Sequence, residues 1–150
     1  MPDKSEMHRL FAKETFNKTW DLLEKKRTKE EDVAMIRMAH TSRYHWGEVG
    51  TVLEFARGDW LISRVYALLG FGVMAHKYAK TSLELCEKNN IGDFDLAFAY
   101  EALARANAVS GDIDKGRGYL SLAENASAYI AKKEDREYFL SELKIVEKLL

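Results

Sequence analysis

The strongest constraint on the fold is an internal repeat. When the segment beginning at Ala56 is shifted by 41 residues, like falls on like: Ala56 on Ala97, Ile62 on Leu103, Arg64 on Arg105, Gly70 on Gly111 and Tyr78 on Tyr119. Small residues also meet small ones, with Ser63 on Ala104, Ala75 on Gly116 and Ser82 on Ala123. A repeat of this length marks a supersecondary unit that buries its apolar face only by stacking on a neighbour. The repeated glycine supplies a turn, because glycine enters left-handed backbone angles at no steric cost. Two helices joined by that turn can approach closely where the small residues cross.

Local signals extend helices over the rest of the chain. The only proline is Pro2, so no later segment is interrupted by one. Met7, Leu10, Phe11, Phe16, Trp20 and Leu23 recur mostly three to five apart, a helical rather than strand spacing. Thr28 with Glu31, and Thr51 with Glu54, carry the capping-box pattern that opens a helix. Further helices are expected from about Val73 to Lys88, from Asp93 or Asp95 as cap to Gly111, and from Asp112 as cap to about Ala131. After the charged run Lys132 to Glu137, a last helix carries Phe139, Leu143, Val146 and Leu150 on one stripe. The expectation is seven helices in a single domain spanning residues 1–150.

The repeated unit resembles the tetratricopeptide repeat, in which a large-then-small pair and an aromatic precede the turn glycine, and an alanine opens the second helix. Ile62-Ser63, Tyr66, Gly70, Ala75 and Ser82 fit one unit. Leu103-Ala104, Gly111, Gly116 and Ala123 fit the next, with Asn107 in the aromatic's place and the closing proline missing from both. The likeness covers residues 56–129. A first, divergent hairpin matches only through Ala34, Met38 and Thr41, which stand 41 residues before Ala75, Ala79 and Ser82. The resemblance implies an all-α fold: a right-handed stack of about three antiparallel helical hairpins, roughly 7–46, 51–88 and 93–131, closed by a capping helix at roughly 134–150. The alternative is a helical solenoid outside that family.

The charge balance of 23 basic against 24 acidic residues gives no global field for nucleic acid or an anionic membrane. No apolar run approaches the roughly 18 residues that a membrane span needs. The N-terminus lacks the apolar core of a signal peptide, so a cytoplasmic protein is expected. Cys86 is the sole cysteine and stands in an apolar-rich run, where a core role is expected. No phosphate-binding glycine loop or nucleophile motif is present. An interaction module, without a cofactor, is expected rather than an enzyme.

The resemblance places the binding face on the first helices of the hairpins. There Arg57, Trp60 and Arg64 lie at i, i+3 and i+7, with Phe98, Glu101 and Arg105 in the equivalent places one unit later. Arginine forks and aromatic rings suit an acidic peptide or other anionic ligand. The competing reading is structural: Arg64 pairs with Glu101, Arg57 pairs with Asp93 or Asp95, and Trp60 packs between hairpins. A second cluster, His40, Tyr44, His45 and Trp46, raises the alternative of a small metal protein or enzyme using His8, His40 and His45. Five residues separate His40 from His45, which turns them about 140° apart on a helix. His8 instead meets His45 if the first two helices pair, with Glu6 or Glu48 as a carboxylate. The apolar stripe of the last helix leaves a homodimer open as well as a monomer.

Overall fold

The computed structural model describes residues 2–150. Among the described residues there are seven helices and no strand: α1 Lys4–Leu23, α2 Lys29–Val49, α3 Val52–Leu68, α4 Gly72–Lys88, α5 Asp93–Ser110, α6 Ile113–Ser127 and α7 Lys133–Leu149. None is long and apolar enough to cross a membrane. The most extensive packing joins α1 to α2, α3 to α4 and α5 to α6, while α7 rests on α5 and α6.

Both expected capping boxes are present. Glu31 accepts the Thr28 N–H at 3.0 Å while the Thr28 hydroxyl accepts the Glu31 N–H at 3.2 Å. The Glu54 carboxylate takes the Thr51 N–H and hydroxyl at 3.4 and 2.8 Å. A third box, Asp3 with Glu6, starts α1 three residues earlier than its apolar pattern suggests. Gly70 and Gly111, the repeated glycines, both adopt left-handed angles, with φ of 85° and 81°. Ahead of α5, Asn90 and Asp93 take that conformation instead. Asp93 is therefore no cap. Its carboxylate accepts the N–H of Phe94 and, across the fold, that of Ala131 at 3.2 Å.

Two of the three helix pairs cross through one chemical pattern. The Ser82 hydroxyl donates to the Ala56 carbonyl at 2.9 Å, joining α4 to α3. The Ser42 hydroxyl does the same to Ala12 at 2.8 Å, joining α2 to α1. In the third pair Ala97 and Ala123 meet without the hydroxyl. This corrects the register of the first pair. Thr41 is exposed and Ala34 and Met38 are only half-buried, whereas Met35, Ala39 and Ser42 occupy the buried positions of Ala75, Ala79 and Ser82. The spacing there is 40 residues, one fewer than in the later units. Since a helical residue turns about 100° from the one before it, a one-residue slip suffices to exchange the buried face.

α5 is the centre of the molecule. Its alanines at 97, 99, 102, 104 and 106 are all buried, and such small side chains let α3, α4, α6 and α7 approach it from different sides. A helix apolar around most of its circumference belongs inside. The stripe on α7 is consumed by the same core. Phe139, Leu143 and Val146 are buried, with Phe139 edge-on to Phe98 at 4.8 Å. Leu150 fills the space left beside Gly116. Phe139, Leu143 and Val146 are thus taken up by the core of the chain itself.

Candidate functional site

A cleft of about 400 Å³ opens on one face of the molecule, and all four odd-numbered helices line it. α1 supplies Phe16 and Trp20, α3 supplies Arg57 and Trp60, α5 supplies Phe94 and Phe98, and α7 supplies Asp135 and Tyr138. The aromatic residues on α1 and α5 stand four apart, which places each pair on one helix face. The Trp20 and Trp60 rings stack at 5.7 Å with 29° between their planes. Phe98 meets the edge of Trp60 at 5.5 Å and packs on Phe94 at 4.6 Å and Tyr138 at 5.9 Å. Within this apolar wall the Trp60 Nε1–H is buried without a hydrogen-bond partner. A buried donor left unpaired costs about 1–3 kcal/mol.

The charges around the cleft are largely matched. Arg57 holds Asp95 through two hydrogen bonds, Nε to Oδ1 at 2.8 Å and Nη2 to Oδ2 at 3.1 Å. That contact raises the Arg57 pKa above its ordinary value, and burial opposes it. Asp135 has no ion-pair partner among the described residues and leaves the lining with one net negative charge.

Further along the same face, Arg64 and Arg105 are engaged by the chain's own acids. Arg105 binds Glu101 at 2.7 Å and Glu142 at 3.4 Å, and Arg64 reaches Glu142 at 3.2 Å and Glu101 at 3.9 Å. Glu101 is wholly buried, with Oε2 unpartnered. Of the residues expected to form a groove, Arg57, Trp60 and Phe98 are thus brought into the cleft. Arg64, Glu101 and Arg105 form a closed network beside it. The arginines expected to grip an anion are each satisfied internally, which the competing structural reading anticipates: Arg64 meets Glu101, and Arg57 meets Asp95. That reading also has Trp60 packing between neighbouring units, as it does.

Phe16, Trp20, Phe94 and Tyr138 were not anticipated as site residues. The four-residue spacing of Phe16 with Trp20, and of Phe94 with Phe98, is a sequence signal for them. Nothing in the sequence alone says that these faces converge.

The histidine–aromatic cluster divides. His8 and His45 do meet, with their Nδ1 atoms 2.8 Å apart. His40 is turned away and bonds through Nε2 to the Tyr66 hydroxyl at 3.0 Å, edge-on to Tyr78. Burial lowers the His40 pKa from its ordinary value. Tyr44 is exposed against the His45 ring, and Trp46 lines a shallower recess that adjoins the cleft at Phe16 and Arg57. Glu6 is occupied in its capping box, and no cluster of three His, Cys, Asp or Glu side chains suited to a metal exists among the described residues. Cys86 is buried, which pushes its thiol up to about 11 and keeps it protonated.

A scan against protein-family models finds no match for this chain, and comparisons with curated proteins and with solved structures find none either.

Proposed function

We propose that this chain is a binding module, a tetratricopeptide-like right-handed stack of three hairpins and a capping helix, that receives a protein segment in the aromatic cleft. One observation carries the reading: six aromatic rings from four separate helices converge on one open cavity of about 400 Å³. Rings of this kind are usual anchors of recognition, because they present large area at small entropic cost. The contribution of every odd-numbered helix fits the concave face that the repeat architecture would present. The ligand presents an apolar or aromatic side chain to Phe16, Trp20, Trp60 and Phe98. With Arg57 matched by Asp95 and Asp135 unmatched, a neutral or basic segment suits the cleft better than an acidic one.

Selection of random displayed peptides against the wild-type chain tests this. Tyr138→Arg places a cation in the mouth of the cleft at a half-exposed position, and should weaken the selected peptides about tenfold or more, or roughly 1.4 kcal/mol. Acidic winners that bind Tyr138→Arg as well as wild type would instead locate recognition in the arginines.

A further inference from the structure

We infer that the aromatic cleft selects a quaternary ammonium group, carried by a trimethylated lysine side chain on the protein segment that it receives. This rests on the reading of the cleft as a binding site for such a segment. The rings of the lining are not all committed to one another. Phe16 packs on no other ring among the described residues, and Trp20 stacks only on Trp60. The negative faces of such rings attract a cation brought within about 6 Å of their centres. The charge of the lining has the matching sign. Arg57 is the one cation among the described lining residues, and both oxygens of Asp95 hold it. The half-buried Asp135 carboxylate is left without a side-chain partner.

The polar atoms of the cleft then discriminate among cations. A lysine ammonium brings three N–H donors and an arginine guanidinium five, and each one taken out of water needs an acceptor. Few are on offer. Arg57 engages Asp95, and the Ser82 hydroxyl donates into the fold, to the Ala56 carbonyl. Asp135 and the Tyr138 hydroxyl remain. A trimethylammonium group has no N–H, so it leaves no donor unpaired and presents only methyl groups to the rings. It also keeps its charge at every pH. The cavity of about 400 Å³ lies within the roughly 300–1,000 Å³ usual for small-ligand sites.

NMR titration of the wild-type chain tests this with three capped amino acids. They are acetyl-trimethyllysine amide, acetyl-lysine amide, and the isostere in which a tert-butyl group replaces the trimethylammonium. The isostere keeps the shape and removes the charge. The trimethylated compound should shift the indole resonances of Trp20 and Trp60 and bind about tenfold tighter than either of the others, the scale of a desolvated cation–π contact. That comparison needs no variant to fold. Asp135→Asn should weaken the trimethylated compound about two- to fivefold and leave the isostere unchanged. Equal affinity for the trimethylated and tert-butyl compounds, or a preference for unmodified lysine, overturns the inference. So does binding of the selected displayed peptides at the cleft when none of the three compounds binds, a result that leaves the cleft reading standing. Failure of those peptides to bind at the cleft removes that reading and this inference with it. Phosphatidylcholine vesicles bound in place of the trimethylated compound would assign the ammonium to a lipid headgroup and overturn the lysine.

Discussion

The two ends of the odd-helix face share α3, α5 and α7, with α1 added only at the open end, and yet behave as opposites. At one end Arg64, Glu101, Arg105 and Glu142 close on one another, with two positive and two negative charges in mutual reach. At the other, Phe16, Trp20, Trp60, Phe94, Phe98 and Tyr138 surround a cavity. Long flexible charged side chains find their counter-ions across a helix interface and leave no demand for a ligand. Rigid rings fixed on separate helices touch at edges and corners and leave space between. A stripe of arginines and aromatics therefore splits into a sealed part and an open part.

The largest effect expected from breaking this contrast is at Glu101. Glu101→Ala leaves Arg105 and Arg64 short of a counter-charge in a buried setting, which costs about 3–5 kcal/mol. In a chain of this size each kcal/mol lowers Tm by roughly 2–4 °C. A thermal or urea melt measures it. A loss near zero would mean that the charged end is not a closed network.

Trp60 separates stability from recognition at the open end. Trp60→Ala removes both the stack on Trp20 and the contact with Phe98, and a cost towards the low end of about 3–5 kcal/mol is expected because the residue is only half-buried. Trp60→Phe keeps most of the packing and deletes the unpartnered Nε1–H, so stability should change by less than about 1 kcal/mol. Peptides selected on the wild type should nevertheless bind this variant more weakly. Equal affinity would show that the larger indole ring takes no part in recognition.

The smallest effect belongs to Arg57→Ala. The guanidinium is half-exposed, and exposed ion pairs contribute about 0–1 kcal/mol, so denaturant unfolding should barely move. A loss well beyond that range would make the Arg57–Asp95 pair a structural clasp between α3 and α5 rather than part of the rim.

Much of the secondary structure was legible because its causes are local. Thr28 and Thr51 cap from within their own turns, and Gly70 and Gly111 bend the chain where no side chain is tolerated without strain. Apolar spacing and the absence of proline after Pro2 are enough to give seven helices. The first pair was misregistered by one residue because Thr41 and Ser42 are equally small and polar. Only the approach of Ala12 selects Ser42.

The sequence by itself determined the helices, their turns and the residues available to each face, since these depend on neighbours within about four positions. Tertiary structure decided which of those residues meet. Arg64 finds Glu142 across 78 residues, His8 finds His45 across 37, and the cleft draws on four helices that share no local signal. Such meetings depend on how helices cross, and crossing is set by the small residues Ala12, Ser42, Ala56 and Ser82 at contact points between helices that are separate in sequence.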